Sequence, residues 1–164
     1  MGLLGNLFKK EELPVVEDNK IVAVCTGEFI PPEKISDPVF AQNMMGKTVA
    51  IEPTDGKICA PCNGTLEVVF PTGHAFAIRS ADGTGILIHI GVDTVNMKGD
   101  GFKTLKKQGD TVKAGETVVE LNLSKIKDAG HPATTMIIIS EPVDGKEYNY
   151  VEYGPVTKGQ VISK

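Results

Sequence analysis

The chain has 164 residues, 41% of them hydrophobic, and its 17 Lys and Arg against 21 Asp and Glu leave a formal net charge of -4. That length buries one substantial core and falls within the usual size of a single domain. The acidic balance and the scatter of the lysines exclude the basic, aromatic-interleaved footprint of a nucleic-acid binder, and no apolar run approaches the roughly 20 residues that cross a bilayer as a helix.

In chain order, the opening MGLLGNLFKK lacks the apolar stretch and cleavage site of a secretory signal, so the expectation is a cytoplasmic protein. The three cysteines, an odd count, fit reduced thiols in that compartment better than a disulfide framework. Residues 1–18 read as a flexible leader interrupted by Pro14. Leu3, Leu4, Leu7 and Phe8 share one helical face beside Lys9 and Lys10, a pattern suited to weak contact with an anionic membrane surface. Two turns of helix are marginal on their own, so a disordered terminus that binds nothing is an equal alternative. Asn6 stands where a myristoylation pattern requires Ser or Thr.

Residues 19–164 read as one domain. Short runs rich in Val, Ile and Thr alternate with Gly and Pro punctuation: KIVAVCTGEFI, KTVAIEP, GTLEVVF, HAFAIRS, GILIHIGV, DTVKAGETVVEL and TTMIIIS. The pattern predicts an all-β antiparallel sandwich or barrel with at most short helical turns. One such turn is expected in SDPVFAQNMM, with Asp37 as cap and Pro38 as first helical residue. APCNGTLEVV and GDTVKAGETVVELN resemble each other, each a strand that enters a Gly-containing turn and leaves on an alternating strand. This hints at the duplicated hairpin of biotinyl and lipoyl carrier folds and concerns architecture more than function.

The histidines carry the chemistry. Alternation puts His74 on one face with Phe76 and Ile78, and His89 on one face with Leu87, opposite Ile86, Ile88 and Ile90. SADG between the two runs predicts a hairpin in which Ser80 faces Gly83, and that register carries through to His74 facing His89. Two imidazoles side by side on an apolar sheet face cost free energy unless they are used. Nucleophilic transfer and metal binding are the chemistries that suit such a pair.

The blocks TGHAFAI and LIHIGVDTV, followed by MKGDGF and GDTVKAGETVVEL, resemble in order the active-site strands and closing hairpin of the glucose-family enzyme IIA of the bacterial sugar phosphotransferase system. The resemblance covers nearly all of residues 20–140 and implies a sandwich of the duplicated hybrid-motif type. It implies that residues 19–164 are the IIA domain. That domain would take a phosphoryl group from phospho-HPr on His89 and pass it to the IIB domain of a sugar permease. His74 matches the phosphoryl-stabilising partner, Thr72 the hydroxyl that orients it, and the backbone near Gly91 the carbonyl that orients the nucleophile. Asp37 and Asp93 match acidic residues at the rim, and Val39, Phe40, Met44, Phe70 and Val95 the apolar docking surface. No cofactor is required. The resemblance also allows zinc on His74 and His89 with a partner carboxylate, and regulatory contacts with transporters or kinases.

Rival readings attach to other motifs. CAPC at Cys59 to Cys62 has the spacing of a redox or metal pair but sits between strand-like runs, so structural filling is the expectation. A zinc hydrolase of the lysostaphin type would need a His-x-His pair, and His89 is followed by Ile90 and Gly91. A biotinyl-type carrier would need its lysine at a hairpin tip, whereas Met97-Lys98 falls outside the candidate turn. His131 reads as a loop residue.

Overall fold

The structure is a computed structural model and describes residues 11–164. The amphipathic face of Leu3, Leu4, Leu7 and Phe8 lies outside the described residues. The described chain forms β1 (Gly27–Ile30), α1 (Pro38–Ala41), β2 (Lys47–Pro53), β3 (Lys57–Cys59), β4 (Gly64–Val69), β5 (Ala75–Ser80) and β6 (Gly85–Ile90). It continues through β7 (Phe102–Thr104), β8 (Thr111–Val112), β9 (Thr117–Leu121), α2 (Leu123–Asp128), β10 (Thr135–Glu141) and β11 (Gly154–Val156). Eight strands build one sheet in the order β11-β1-β2-β10-β6-β5-β4-β8, and β3-β9-β7 build a second. All the strand pairings are antiparallel, as the all-β reading requires.

The central strands β2, β10, β6 and β5 are apolar on both faces, for different reasons. On the inner face, Phe29, Ile51, Ile137, Ile88 and Phe76 enter the main core. On the outer face, cross-strand pairing aligns Ile30, Ala50, Met136, His89 and Ala75 in one row across five strands. A smaller core roofs that row, where Ile35, Phe40 and Val92 pack with Ile30, Ala50, Met136 and Ile138. Burial of this kind contributes about 25 cal/mol per Å² of apolar surface. It also sets a polar ring, His89, among aliphatic neighbours.

The two similar segments lie antiparallel against each other. Lys57 pairs with Glu120 and Gly64 with Val112, while between them Ala60 N–H donates to Glu116 O (2.9 Å) and Gly115 N–H to Ala60 O (3.0 Å). Cys59 and Cys62 are buried within this crossing, free and unbridged. Burial pushes both thiols up to about 12, and strand β4 rather than a helix follows them, so they act as packing residues.

Two details differ from the sequence reading. Within KIVAVCTGEFI only Gly27–Ile30 joins a ladder; residues 21–25 are buried but divide their bonds, Val22 N–H going to Pro61 O and Ala23 N–H to Gln160 O, both at 2.8 Å. A helix not foreseen, α2, is capped by Asn122, whose side chain accepts from Lys125 N–H. Residues 11–18, within the expected leader, also make contacts with the body. Val16 packs with Val22, Cys59 and Ala114. Glu11 accepts from the Thr117 N–H and hydroxyl, both at 2.7 Å, and pairs with Lys158.

Asn63 ties this segment to the crossing. Its Nδ2 donates to Val16 O (2.8 Å) and to the Asp18 carboxylate (3.0 Å), and its Oδ1 accepts from Ala114 N–H (2.9 Å). Asn63→Ala leaves the Ala114 donor and the Val16 acceptor unpaired, which is expected to cost about 1–3 kcal/mol. Urea unfolding of the variant checks this, and an unchanged midpoint would contradict the anchoring role.

Candidate functional site

His89 stands near the end of β6, in a strand whose β-branched residues hold the pleat, and half-emerges on the outer face. Its Nδ1–H donates to the Gly91 carbonyl at 3.0 Å. The turn that brings this carbonyl back needs Gly91, with φ +80°, since a Cβ there would meet Thr94 Cγ2 at 2.3 Å. Thr94 in turn donates its hydroxyl to Ile90 O. Asp93, left-handed at φ 60°, opens the short 3-10 turn Thr94–Met97 that carries Val95 outward. Met97-Lys98 ends this 3-10 turn, with Lys98 as its cap.

The register of the β5–β6 hairpin differs from the expectation by one residue. His89 pairs with Ala75, and Ser80 is closed against Thr84 by a three-residue loop in which Gly83 takes φ +98°. Asp82 favours that longer loop by accepting from Thr84 N–H at 3.0 Å. In this register His74 stands opposite Ile90, whose N–H donates to His74 O at 2.7 Å. Alternation alone would send the His74 ring to the inner face. His74 precedes the strand, however, in a turn closed by Gly73 N–H to Phe70 O (2.8 Å) and Phe70 N–H to Ala75 O (3.1 Å). Gly73, at φ +73°, lets the chain leave the pleat, and the two imidazoles meet with centroids 5.3 Å apart and planes 80° to each other.

Thr72 Oγ1 is hydrogen-bonded to His74 Nδ1. With Nδ1 engaged on both rings, Nε2 of each is left for chemistry. The Phe70 ring lies edge-on to His74 at 5.2 Å, and the Phe40 ring lies against His89 at 4.9 Å. Burial pushes the pKa of His74 down, and the charge of His89 adds to the effect. Burial also pushes His89 down, opposed by its bond to the Gly91 carbonyl and by the carboxylates of Asp37 and Asp93. Both rings are therefore held neutral, as a nucleophile or a metal ligand must be. The described residues contain no group of three or more His, Cys, Asp or Glu placed to hold a metal ion. The pair alone offers zinc two ligands.

The rim residues sort by exposure. Val39, Met44, Phe70 and Val95 are 38 to 68% exposed and open to a partner. Phe40, by contrast, is 6% exposed and belongs to the roof over the His89 row. Asp37 caps α1, accepting from Val39 N–H at 2.9 Å as its place before Pro38 predicts. Thr94 was not singled out from the sequence, although it lies within LIHIGVDTV. His131 lies in the loop after α2, its N–H bonded to Ile126 O at 3.2 Å.

Comparison with known proteins agrees with this geometry. Residues 19–144 match the family model described as phosphoenolpyruvate-dependent sugar phosphotransferase system, EIIA 1. The chain belongs to that EIIA family. It is similar to the PTS system glucose-specific EIIA component of Oceanobacillus iheyensis, 41% identical over 96% of this chain and 95% of the relative. It is also similar to the protein of the same name from Staphylococcus aureus, 40% identical over 96% and 95%. Among solved structures it is similar to the glucose permease IIA from Mycoplasma capricolum, with a TM-score of 0.82 and 36% identity over 88% of this chain and 93% of that one. Membership of the EIIA family makes the chain a component of the sugar phosphotransferase system, with a phosphoryl-carrier and transferase role in sugar uptake. No helix among the described residues is long and apolar enough to cross a membrane.

Because burial opposes protonation, both histidines should titrate below the ordinary 6.5 in this EIIA domain. Above 6.5 the rings are neutral whether the chain is folded or unfolded and contribute no pH dependence. Below it the unfolded chain binds more protons, so stability should fall as pH drops from 6.5 toward the folded values. Ring-proton NMR titration measures this directly, and a midpoint at or above 6.5 for His89 would contradict it.

Proposed function

We propose that this EIIA domain accepts a phosphoryl group from phospho-HPr on Nε2 of His89 and passes it to the IIB domain of a sugar permease. The observation that carries the reading is the facing pair of neutral imidazoles, each engaged at Nδ1. With its proton held on Nδ1 by the Gly91 carbonyl, His89 presents a lone pair at Nε2. That lone pair forms the new P–N bond as the donor's P–N bond breaks, and the Nδ1 proton stays in place. If the Thr72 hydroxyl donates to His74 Nδ1, the His74 proton sits on Nε2, where it can donate to a phosphoryl oxygen as charge shifts during transfer. The IIB cysteine thiolate then attacks phosphorus and His89 leaves with its lone pair restored. No cofactor takes part.

The protein works in the cytoplasm, where HPr and the IIB domain are reached. Val39, Met44, Phe70 and Val95 supply the apolar contact, and Asp37 and Asp93 meet basic residues of the donor. Zinc on the two Nε2 atoms, completed by a partner carboxylate, and contacts with transporters or kinases belong to the same face as regulatory roles. Calorimetry that finds zinc no tighter on the wild type than on His74→Ala would dispose of the metal role.

Incubation with phosphoenolpyruvate, enzyme I and HPr should add one acid-labile, base-stable phosphoryl group by intact mass. His89→Ala should abolish it. His74→Gln should still be phosphorylated, with onward transfer to IIB slowed roughly 100- to 1,000-fold by loss of the positioned donor. Phosphate mapped to His74 with His89 unmodified would reverse the roles.

The rim should separate docking from folding. Val95→Asp is expected to raise the KM for phospho-HPr with little change in melting temperature. Phe40→Asp should instead lower the melting temperature, because it puts a charge beneath the roof. Equal behaviour of the two variants would remove the distinction.

A further inference from the structure

The two peptide groups that follow Ile90 are each held at both ends. In the first, Ile90 O accepts from the Thr94 hydroxyl, and Gly91 N–H donates to Thr134 O at 2.8 Å. In the second, Gly91 O accepts from His89 Nδ1 at 3.0 Å, and Val92 N–H donates to Pro132 O at 3.1 Å. Pro132 and Thr134 belong to the segment between α2 and β10, which is otherwise a loop. Its far end runs into β10, where Thr135 pairs with Ile51 and Ile90, and a side-chain bond adds to that ladder: the Thr134 hydroxyl donates to the Glu52 carboxylate at 2.5 Å. Thr134 is 3% exposed, and Glu52 stands on β2, whose pairing with β10 sets Thr135 opposite Ile51.

We infer that Thr134 and Glu52 are positioning residues for His89, acting through the carbonyls of Pro132 and Thr134 that fix the Gly91 peptide. This rests on the reading of His89 as the nucleophile. A hydrogen bond from a hydroxyl to a carboxylate is among the stronger kinds, and here it acts by position, holding the backbone whose carbonyls accept from Gly91 N–H and Val92 N–H. Its consequence is chemical. If the Gly91 carbonyl turns away, Nδ1–H loses its acceptor, the imidazole samples the other tautomer, and the lone pair leaves Nε2. Glu28 stands opposite Glu52 on the neighbouring strand β1, is exposed, and takes no part in the tether.

The test uses the full chain with Thr134→Val, Thr134→Ser, Glu52→Ala and Glu28→Gln, read by nitrogen-15 NMR of the His89 ring and by phosphotransfer kinetics from phospho-HPr. Thr134→Val and Glu52→Ala should shift His89 from the Nδ1–H tautomer toward a mixture. Both should lower kcat about 10-fold or more with KM for the donor unchanged, as misaimed reacting groups do. Thr134→Ser should restore both readouts, and Glu28→Gln should move neither. A single Nδ1–H tautomer and wild-type kcat in folded Thr134→Val would overturn the inference, as would loss of activity not rescued by Ser. A wild type that takes no phosphoryl group would fail the functional reading instead, leaving the tautomer measurement to judge the positioning.

Discussion

A neutral imidazole is nucleophilic only at the nitrogen that its own hydrogen bond leaves free, and in this chain the bond from His89 Nδ1 to the Gly91 carbonyl makes that choice. The bond is local in sequence and far from local in its support. The carbonyl points back because Gly91 is left-handed, which Thr94 permits only in the absence of a Cβ. The glycine in turn is held from the other side by a segment more than 40 residues later in the chain. A sheet provides that kind of support at low cost, because β10 pairs with both β6 and β2 and so transmits position between them.

The same sheet determines how the histidines are charged. His89 shares its row with Ile30, Ala50, Met136 and Ala75, and the smaller core closes over its neighbours. An apolar setting disfavours imidazolium, while Asp37 and Asp93 offset part of that effect. The result is a ring that stays neutral yet lies at a rim carrying negative charge. Under the proposed function this suits a group that meets a partner, accepts a charged phosphoryl group and gives it away again, since neither tight electrostatic trapping nor full exposure to water would serve. Phe40 belongs to this arrangement as part of the roof, its ring 4.9 Å from that of His89.

The crossing of the two similar segments does different work. It joins the small sheet to the large one and receives residues 11–18, with Asn63 and Thr117 as the points of attachment. At its cysteines burial outweighs the lowering by Lys158 at Cys59 and by Lys146 at Cys62, which is why a redox-like spacing leads here to packing. Spacing is a statement about the chain, whereas reactivity depends on solvation.

The sequence by itself determined the all-β class, most of the strand runs, the Asp37 cap and the two histidines as a candidate site, because alternation, turn residues and capping are local and leave direct marks. Tertiary structure decided the rest. The hairpin register slipped by one residue because a two-residue and a three-residue loop both fit SADGT, and the choice rests on Asp82 and Gly83 together. His74 still reached His89 because it lies before the strand, where the pleat no longer dictates direction. The burial of Phe40, the seating of residues 11–18 and the support of Gly91 by Thr134 and Glu52 join residues remote in the chain. No periodicity records such contacts, since they exist only once the strands have found one another.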